Sequence, residues 1–426
     1  MTGFEFLEKY GLRAEDVDEK KVLSFFKDQM DKGLEGSESS LRMIPTYSEA
    51  QNEIPDGESV IVMDAGGTNF RTCLVTFNEG KVDIQDFLKV GMPGSKEEVS
   101  GPEFFSILAD NIERFRGKSK KIGFCFSYAA EITEDHDGIP LMFSKEIKAP
   151  EVIGKHIGKE LLKVLSSRGW DTEGMTVSIV NDTVATLLAA KAAYTGDAST
   201  YIGFILGTGT NTAYVERNAN IRKIAKNEGS QIINVESGCL KLELSEIDKE
   251  FMNTTKDPDS YHLEKKISGA YLGPFALHVL KKAAEEGVFS SFATDKLRDM
   301  TELETKDLGT YLSAPGDFSS PLSFLSSDKA DAISSFVILR SLVERAGKLT
   351  AINLTAAILA SGEGDDPRRP VVINADGTTF YRLSFLEDYV KEYLEKILWK
   401  GYGKVYKIVN IDSSPTIGAA IAGLSI

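Results

Sequence analysis

The sequence predicts an α/β protein built of two related lobes. Three observations carry this. Short apolar strands alternate with helical stretches along 426 residues, a length suited to two or three domains. A strand, a glycine- and threonine-rich turn and a second strand occur twice, at residues 59–77 and again at 201–216, which marks an internal duplication. No low-complexity linker intervenes, so short hinges are expected to join the lobes.

The elements follow in order. Phe6, Leu7, Val22, Leu23, Phe26 and Met30 recur at helical spacing among charges, so the first 35 residues read as helical. Gly33 and Gly36 end that pattern, and residues 40–47 read as an ordered connector. Residues 59–64 form a buried-type strand that stops at Ala65-Gly66-Gly67. Strands at 70–77 and 82–90 follow. That is a hairpin opening, not the strand–helix opening of a dinucleotide fold. A helix at 102–115, a strand at 121–126 leading into Ser127, a helix at 151–167 and a strand at 177–180 ending in Asn181-Asp182 complete the first half. The second half opens with strands at 201–206 and 212–216 around Gly207-Thr208-Gly209-Thr210-Asn211. Helices are expected near 263–286, 329–345 and 346–360, then strands at 371–374 and 405–411. A polar turn at 412–415 leads into a helix of small residues from Thr416.

Composition narrows the function. Apolar residues at 42% and charged residues at 27% exclude global disorder. A net charge of −15 argues against nucleic acid, which needs a basic footprint. Cys73, Cys125 and Cys239 are odd in number and lack metal spacing, as do the four histidines; reduced, buried thiols are expected. The amino terminus lacks a signal-peptide pattern. No apolar run reaches the roughly 18 residues of a membrane helix. A cytoplasmic protein with no membrane partner is expected.

The chemistry lies at the strand ends. Asp64-Ala65-Gly66-Gly67-Thr68-Asn69 puts an acid beside a glycine pair. Glycines let successive N–H groups approach phosphate oxygens. An aspartate there would repel phosphate unless a cation intervened, which suggests a Mg²⁺-nucleotide with Asp64 acting on the metal through water. Gly207-Thr208-Gly209-Thr210 offers the same donors without the acid. Either turn alone could be an ordinary hairpin; two facing turns could hold a triphosphate between lobes. Ser127, Ser144, Lys145, Asn181, Asp182, Asn211, Glu236 and Glu264 supply the hydroxyl, amide and charged groups a polyhydroxylated sugar needs. Asp182 could accept a proton from an attacking hydroxyl and could equally cap the helix at 183–193. Lys145 could balance charge on a phosphoryl group in transfer.

In these segments the sequence resembles the eukaryotic-type hexokinase family, over nearly the whole chain and in family order. Residues 40–47 (SLRMIPTY) are similar to its S-x-L-x-M-[LI]-P-[TS]-[YF] connector, and residues 64–71 (DAGGTNFR) to its first phosphate loop. Residues 179–184 (IVNDTV) resemble the segment carrying its catalytic aspartate, and 207–211 (GTGTN) its second phosphate loop. Residues 234–238 (NVESG) and 264–273 (EKKISGAYLG) resemble its sugar contacts. There are departures. Phe126-Ser127-Tyr128-Ala129 stands for F-S-F-P, and Phe143-Ser144-Lys145-Glu146-Ile147 for W-T-K-G-F. Of the family's C-terminal adenosine motif, within residues 412–420, Gly418-Ala419-Ala420 is kept best.

The resemblance implies a two-lobed actin-like ATPase fold, related to ribonuclease H, with the lobes flanking a cleft. It implies transfer of the γ-phosphoryl of ATP, with Mg²⁺, to the 6-hydroxyl of a hexose: glucose first, with mannose, fructose or glucosamine as further acceptors. Asp182 would be the base, with Lys145 on the phosphoryl group. Ser127, Ser144, Lys145, Asn181, Asp182, Asn211, Glu236 and Glu264 would hold sugar. Asp64, Gly66, Gly67, Thr68, Asn69, Arg71, Gly207, Thr208, Gly209, Thr210, Ser413 and Gly418 would frame the nucleotide. Residues 57–181 would form the small domain and 182–411 the large one. Residues 1–56 would pack on the large domain, and 412–426 would return to the small one. A monomer or homodimer is expected. A non-catalytic sugar sensor on the same scaffold, or another phosphotransferase with these turns, are the alternatives.

Overall fold

The structure is a computed structural model and describes residues 1–49, 54–79, 81–143 and 147–426. Among these residues the strands run β1 (Ile44–Pro45), β2 (Ser59–Gly66), β3 (Asn69–Asn78), β4 (Lys81–Gly91), β5 (Lys121–Phe126), β6 (Ala130–Ile132), β7 (Gly138–Pro140), β8 (Thr176–Val180), β9 (Tyr201–Leu206), β10 (Thr210–Arg217), β11 (Ser230–Asn234), β12 (Val371–Asp376) and β13 (Tyr406–Val409). They build two main sheets. The first has the order β4-β3-β2-β5-β8, and the second β1-β11-β10-β9-β12-β13. In each, an antiparallel run ends in two strands added in parallel: β4, β3 and β2 before β5 and β8, and β1, β11, β10 and β9 before β12 and β13. The repeat expected from the sequence is thus a repeat of sheet topology. β6 and β7 form a separate small hairpin.

Strand alternation places the cores. Ile61, Met63 and Ala65 on β2, with Ile122, Phe124 and Phe126 on β5, fill one apolar cluster beneath the first sheet. Val60 and Val62, from the alternate positions, face the other way with Cys125 and Val180. That period of two is what a sheet buried on both faces requires. The second face is covered by two helices, Asp182–Ala193 and Ser414–Leu424, which also touch Ala213 and Ile232 of the second sheet. Ile202, Phe204, Tyr214, Ile233, Val371 and Ile373 of the second sheet lie in a further cluster with the helix Lys329–Ser361 and the N-terminal helices Gly3–Tyr10 and Glu19–Glu35, while Val372 and Val409 join Ala190 and Ala198.

The C-terminal helix packs on β2, β5 and β8, although the strand before it, β13, belongs to the second sheet. Glycines allow the approach. A side chain on Gly123 would meet the Ala419 carbonyl at 1.8 Å, and one on Gly418 would meet the Ala185 carbonyl at 1.9 Å.

Three sequence expectations need correction. The helix expected at 151–167 begins only at Ile157, because Gly154 takes a φ of +78° after the short turn Pro150–Val152. The helix expected near 263–286 is two, His262–Ile267 and Leu272–Glu285. Between them Gly269 and Ala270 leave helical geometry to donate to the carbonyls of Gly207 and Thr208, at 2.8 and 3.1 Å. The two helices expected at 329–360 are one. Its Gly347 is a contact with the backbone and Cβ of Tyr389, not a break. No helix among the described residues is long and apolar enough to cross a membrane.

Candidate active site

The first turn closes the β2–β3 hairpin. Asp64 sits opposite Arg71 in its register, and the Arg71 guanidinium donates to the Asp64 carboxylate at 2.7 Å. Burial pushes the Asp64 carboxyl above its ordinary value, and Arg71 opposes that shift. Gly67 needs its glycine, with φ at +57°. Thr68 is exposed and Asn69 half-buried. A side chain on Gly66 would stand 3.4 Å from the Ser127 hydroxyl and 3.8 Å from Asp64 Oδ1, so Ser127 lies directly against this turn.

The second turn joins β9 to β10 and is held by main chain. Besides the bonds from Gly269 and Ala270, the Thr379 hydroxyl donates to the Gly207 carbonyl at 2.8 Å. Glu264 lies under it, accepting from the Thr210 N–H at 3.1 Å. A side chain on Gly209 would stand 2.7 Å from Glu264 Oε2. Burial raises the Glu264 carboxyl, with the Thr210 N–H opposing and Glu236 adding to the rise.

Between the turns the polar side chains converge. Asn211 Nδ2 donates to Asn234 Oδ1 at 2.7 Å and to Glu236 Oε1 at 3.2 Å, and Asn234 Nδ2 donates to the same Glu236 oxygen at 2.9 Å. Glu236 has a φ of +57°, a costly conformation for a residue with a side chain. Burial raises its carboxyl against the Asn234 bond. Below lies a buried relay in which Asn353 donates to Thr212 at 2.8 Å and the Thr212 and Ser237 hydroxyls stand 3.1 Å apart. Asn181 and Glu236 line one narrow crevice with Asn234, Phe126 and Tyr128, so both sheets contribute to it.

Asp182 opens the helix Asp182–Ala193. The cap is Asn181, one residue earlier than the helix expected at 183–193 requires. Both Asn181 and Asp182 accept from the Thr183 N–H, at 2.9 and 2.8 Å. Asp182 is pushed up to about 6, first by burial, then by the charges of Glu236 and Asp64, while the Thr183 N–H pulls the other way. Asp182 thus feels the charge of Asp64 on the first sheet and of Glu236, which follows the second. A carboxylate tuned toward neutrality is suited to take up a proton.

Beside the second turn opens a cavity of about 960 Å³, walled by Thr208, Gly269, Thr305, Thr378, Thr379 and Arg382 among others. Sequence reasoning missed the Asp376-Gly377-Thr378-Thr379 contribution. Its signal was present: an acid and a glycine at a strand end, as at Asp64. Asn234 was missed as a Glu236 partner, since nothing in its spacing shows it. Ser413 lies exposed at the start of the last helix with a φ of +58°. Gly418 is buried where that helix crosses Ala185. Ser144 and Lys145 lie outside the described residues.

Among the described residues no group of three or more histidines, cysteines, aspartates or glutamates is placed to cage a metal. A carboxylate beside a glycine turn nevertheless suits Mg²⁺ brought by a phosphate ligand, because the ion keeps its waters and takes most oxygens from phosphate. Asp64 fits that donor set.

Two family models, both described as hexokinase, match the chain, one over residues 201–425 and the other over residues 5–192. A mouse protein named Hexokinase-3 is 32% identical over 300 residues, covering 67% of this chain and 32% of that protein. A tobacco protein named Hexokinase-1 is 32% identical over 330 residues, covering 71% of this chain and 64% of that one. The chain therefore spans about a third of the first relative's length and just under two thirds of the second's. A solved hexokinase from Schistosoma mansoni, complexed with glucose, superposes with a TM-score of 0.78 at 22% identity, covering 100% of both chains. That likeness shows the fold: the two-lobed actin-like ATPase fold.

Proposed function

The chain belongs to the hexokinase family, and from that premise we propose that it transfers the γ-phosphoryl group of Mg-ATP to the 6-hydroxyl of a hexose, glucose foremost. The observation that carries the reading is Asp182: a buried carboxylate raised to about 6, which feels the charges of Asp64 and Glu236 and follows Asn181 at a crevice that Glu236 also lines.

In this reading Asp182 takes the proton of the 6-hydroxyl as that oxygen attacks phosphorus. The helix N-terminus behind it favours its ionised form before transfer. Asn181, Asn211, Glu236 and Glu264, with Ser127, Ser144 and Lys145, pair the sugar hydroxyls. Lys145 also meets the phosphoryl group. The N–H groups of the two turns cradle the phosphates, and the cavity beside Thr208 and Thr379 takes the adenosine. Asp64 would hold Mg²⁺ through water, and the bound ion would supply charge neutralisation. Arg71 keeps Asp64 ionised for that role.

Residues 57–181 with 412–426 act as the smaller lobe. Residues 182–411 act as the larger, with 1–56 packed on it. Closure of the lobes on sugar excludes water from Asp182, which would otherwise compete as acceptor.

The test is ADP release with Mg-ATP against glucose, mannose, fructose, glucosamine and no sugar. Release that depends on a hexose is expected, with glucose ranked first. Release indifferent to sugar would sink the reading. Sugar binding without release would point instead to a sensor.

A further inference from the structure

Two segments assigned above to different ligands are bonded to each other. Ser127 and Tyr128 follow β5 on the sugar side, and residues 66–68 form the first phosphate turn. The Ser127 N–H donates to the Ala65 carbonyl at 2.9 Å, extending the β2–β5 ladder. One residue on, the Tyr128 hydroxyl donates to the Gly67 carbonyl at 2.6 Å.

The ring that carries this hydroxyl is fixed. Tyr128 is 6% exposed. Its ring packs edge-on against Phe126 and Phe143, at 4.9 and 5.2 Å between centroids. Gly67 has the opposite character. Its φ is +57°, and no heavy atom lies within 4 Å of the place a side chain would occupy. Two successive glycines leave the peptide planes here easy to rotate.

In a trans peptide the carbonyl and the N–H of one plane point in opposite directions. The Gly67 carbonyl shares its plane with the Thr68 N–H. Fixing the first therefore aims the second. The next plane is set separately, by the Met92 N–H donating to the Thr68 carbonyl at 2.9 Å.

We infer that the Tyr128 hydroxyl is a positioning group for the nucleotide: it latches the Gly67–Thr68 peptide so that the Thr68 N–H faces the phosphates. The inference rests on reading this turn as a phosphate site. The anchoring ring shares its cluster with Phe143, the residue before the sugar-loop Ser144, so the latch ties the turn to the sugar side. A phenylalanine here, as in the F-S-F-P pattern, keeps the ring and lacks the bond. The latch is thus a feature of this chain.

Tyr128→Phe removes the hydroxyl alone. Three measurements test it: KM values for Mg-ATP and for hexose, the Kd of Mg-ADP by calorimetry, and amide exchange at the turn. The nucleotide KM and Kd should rise about three- to tenfold, the worth of one neutral hydrogen bond, while the hexose KM stays within about twofold. Amide exchange in the peptide spanning Gly66–Asn69 should quicken. An unchanged nucleotide Kd would overturn the latch, as would equal rises in both KM values, which a general loosening of the fold would give. A wild-type protein that binds Mg-ADP but phosphorylates no hexose would refute the kinase reading, and the Kd comparison would still decide the latch. A wild-type protein that binds no Mg-ADP would refute both.

Discussion

The two sheets share an order of five strands, with β1 added at the edge of the second, yet they hold their turns by different means. At the first turn side chains add to a main-chain bond from Met92: Arg71 on Asp64 and Tyr128 on the Gly67 carbonyl. At the second the main chain does the holding, through Gly269 and Ala270 on the carbonyls of Gly207 and Thr208, with Thr379 added. The acid also differs. Asp64 belongs to the strand that leads into its turn, whereas Glu264 reaches under Gly209 from a separate helix. A duplicated frame can thus carry one turn open to adjustment by single substitutions and another fixed by backbone.

The largest effect is expected where the two halves meet. Asp182→Ala should lower kcat by about a hundred- to ten-thousandfold, the range for losing a general base, with circular dichroism unchanged. Near-normal turnover would show that neither half depends on this carboxylate. Next comes the contrast between glycines. Gly209→Ala drives a methyl to 2.7 Å from Glu264, and the displaced turn should cost about a hundredfold in kcat/KM. Gly66→Ala meets nothing closer than 3.4 Å, so the thermal midpoint should hold and only the nucleotide KM should rise. Equal damage at both sites would erase the distinction between the turns.

A smaller effect tests the side-chain latch. Arg71→Met leaves the buried Asp64 carboxylate without its cation, at a cost of about 1–3 kcal/mol. Its carboxyl, already raised by burial, should rise further. Because the folded value then exceeds the unfolded one, the loss should deepen as pH rises through it and fade in acid; urea melts at several pH values would read this. The smallest concerns Asp182 itself. Its folded value of about 6 lies above the ordinary aspartate value of 3.8. Ionisation therefore weakens the fold as pH climbs between those values, and the weakening is complete above them. Asp182→Asn should match the wild type in acid and exceed it in thermal midpoint at neutral pH. The wild-type kcat/KM should fall as pH drops through about 6.

The hairpin turns and the strands around them were legible because apolar runs and glycine pairs are local signals. Asp182 was legible for the same reason, standing at a strand end before a helical pattern. Tertiary demands hid the rest. The break at Ser268–Ala270 exists to brace a turn some 60 residues earlier in the chain. Gly347 looks like a helix breaker and is a packing contact. β11 was not foreseen, although it carries Asn234. The bonds that gather Asn211, Asn234 and Glu236 depend on sheet register, which spacing does not encode. The carboxyl shifts at Asp64, Asp182 and Glu236 follow from burial, which no single segment shows.

The helix crossing at Gly418 and Ala185 has a mechanical consequence. The chain passes from the first sheet to the second at Asn181, and returns after β13 into the helix Ser414–Leu424. If the two sheets are the cores of two lobes, as proposed above, the chain after β2 crosses between them only at these two points, and the crossing helices restrict the lobes to a swing about the line through those points. Asp182 stands beside the first crossing. Such a swing would carry the two glycine turns through arcs and leave the carboxylate almost still, like the pin of a pair of tongs.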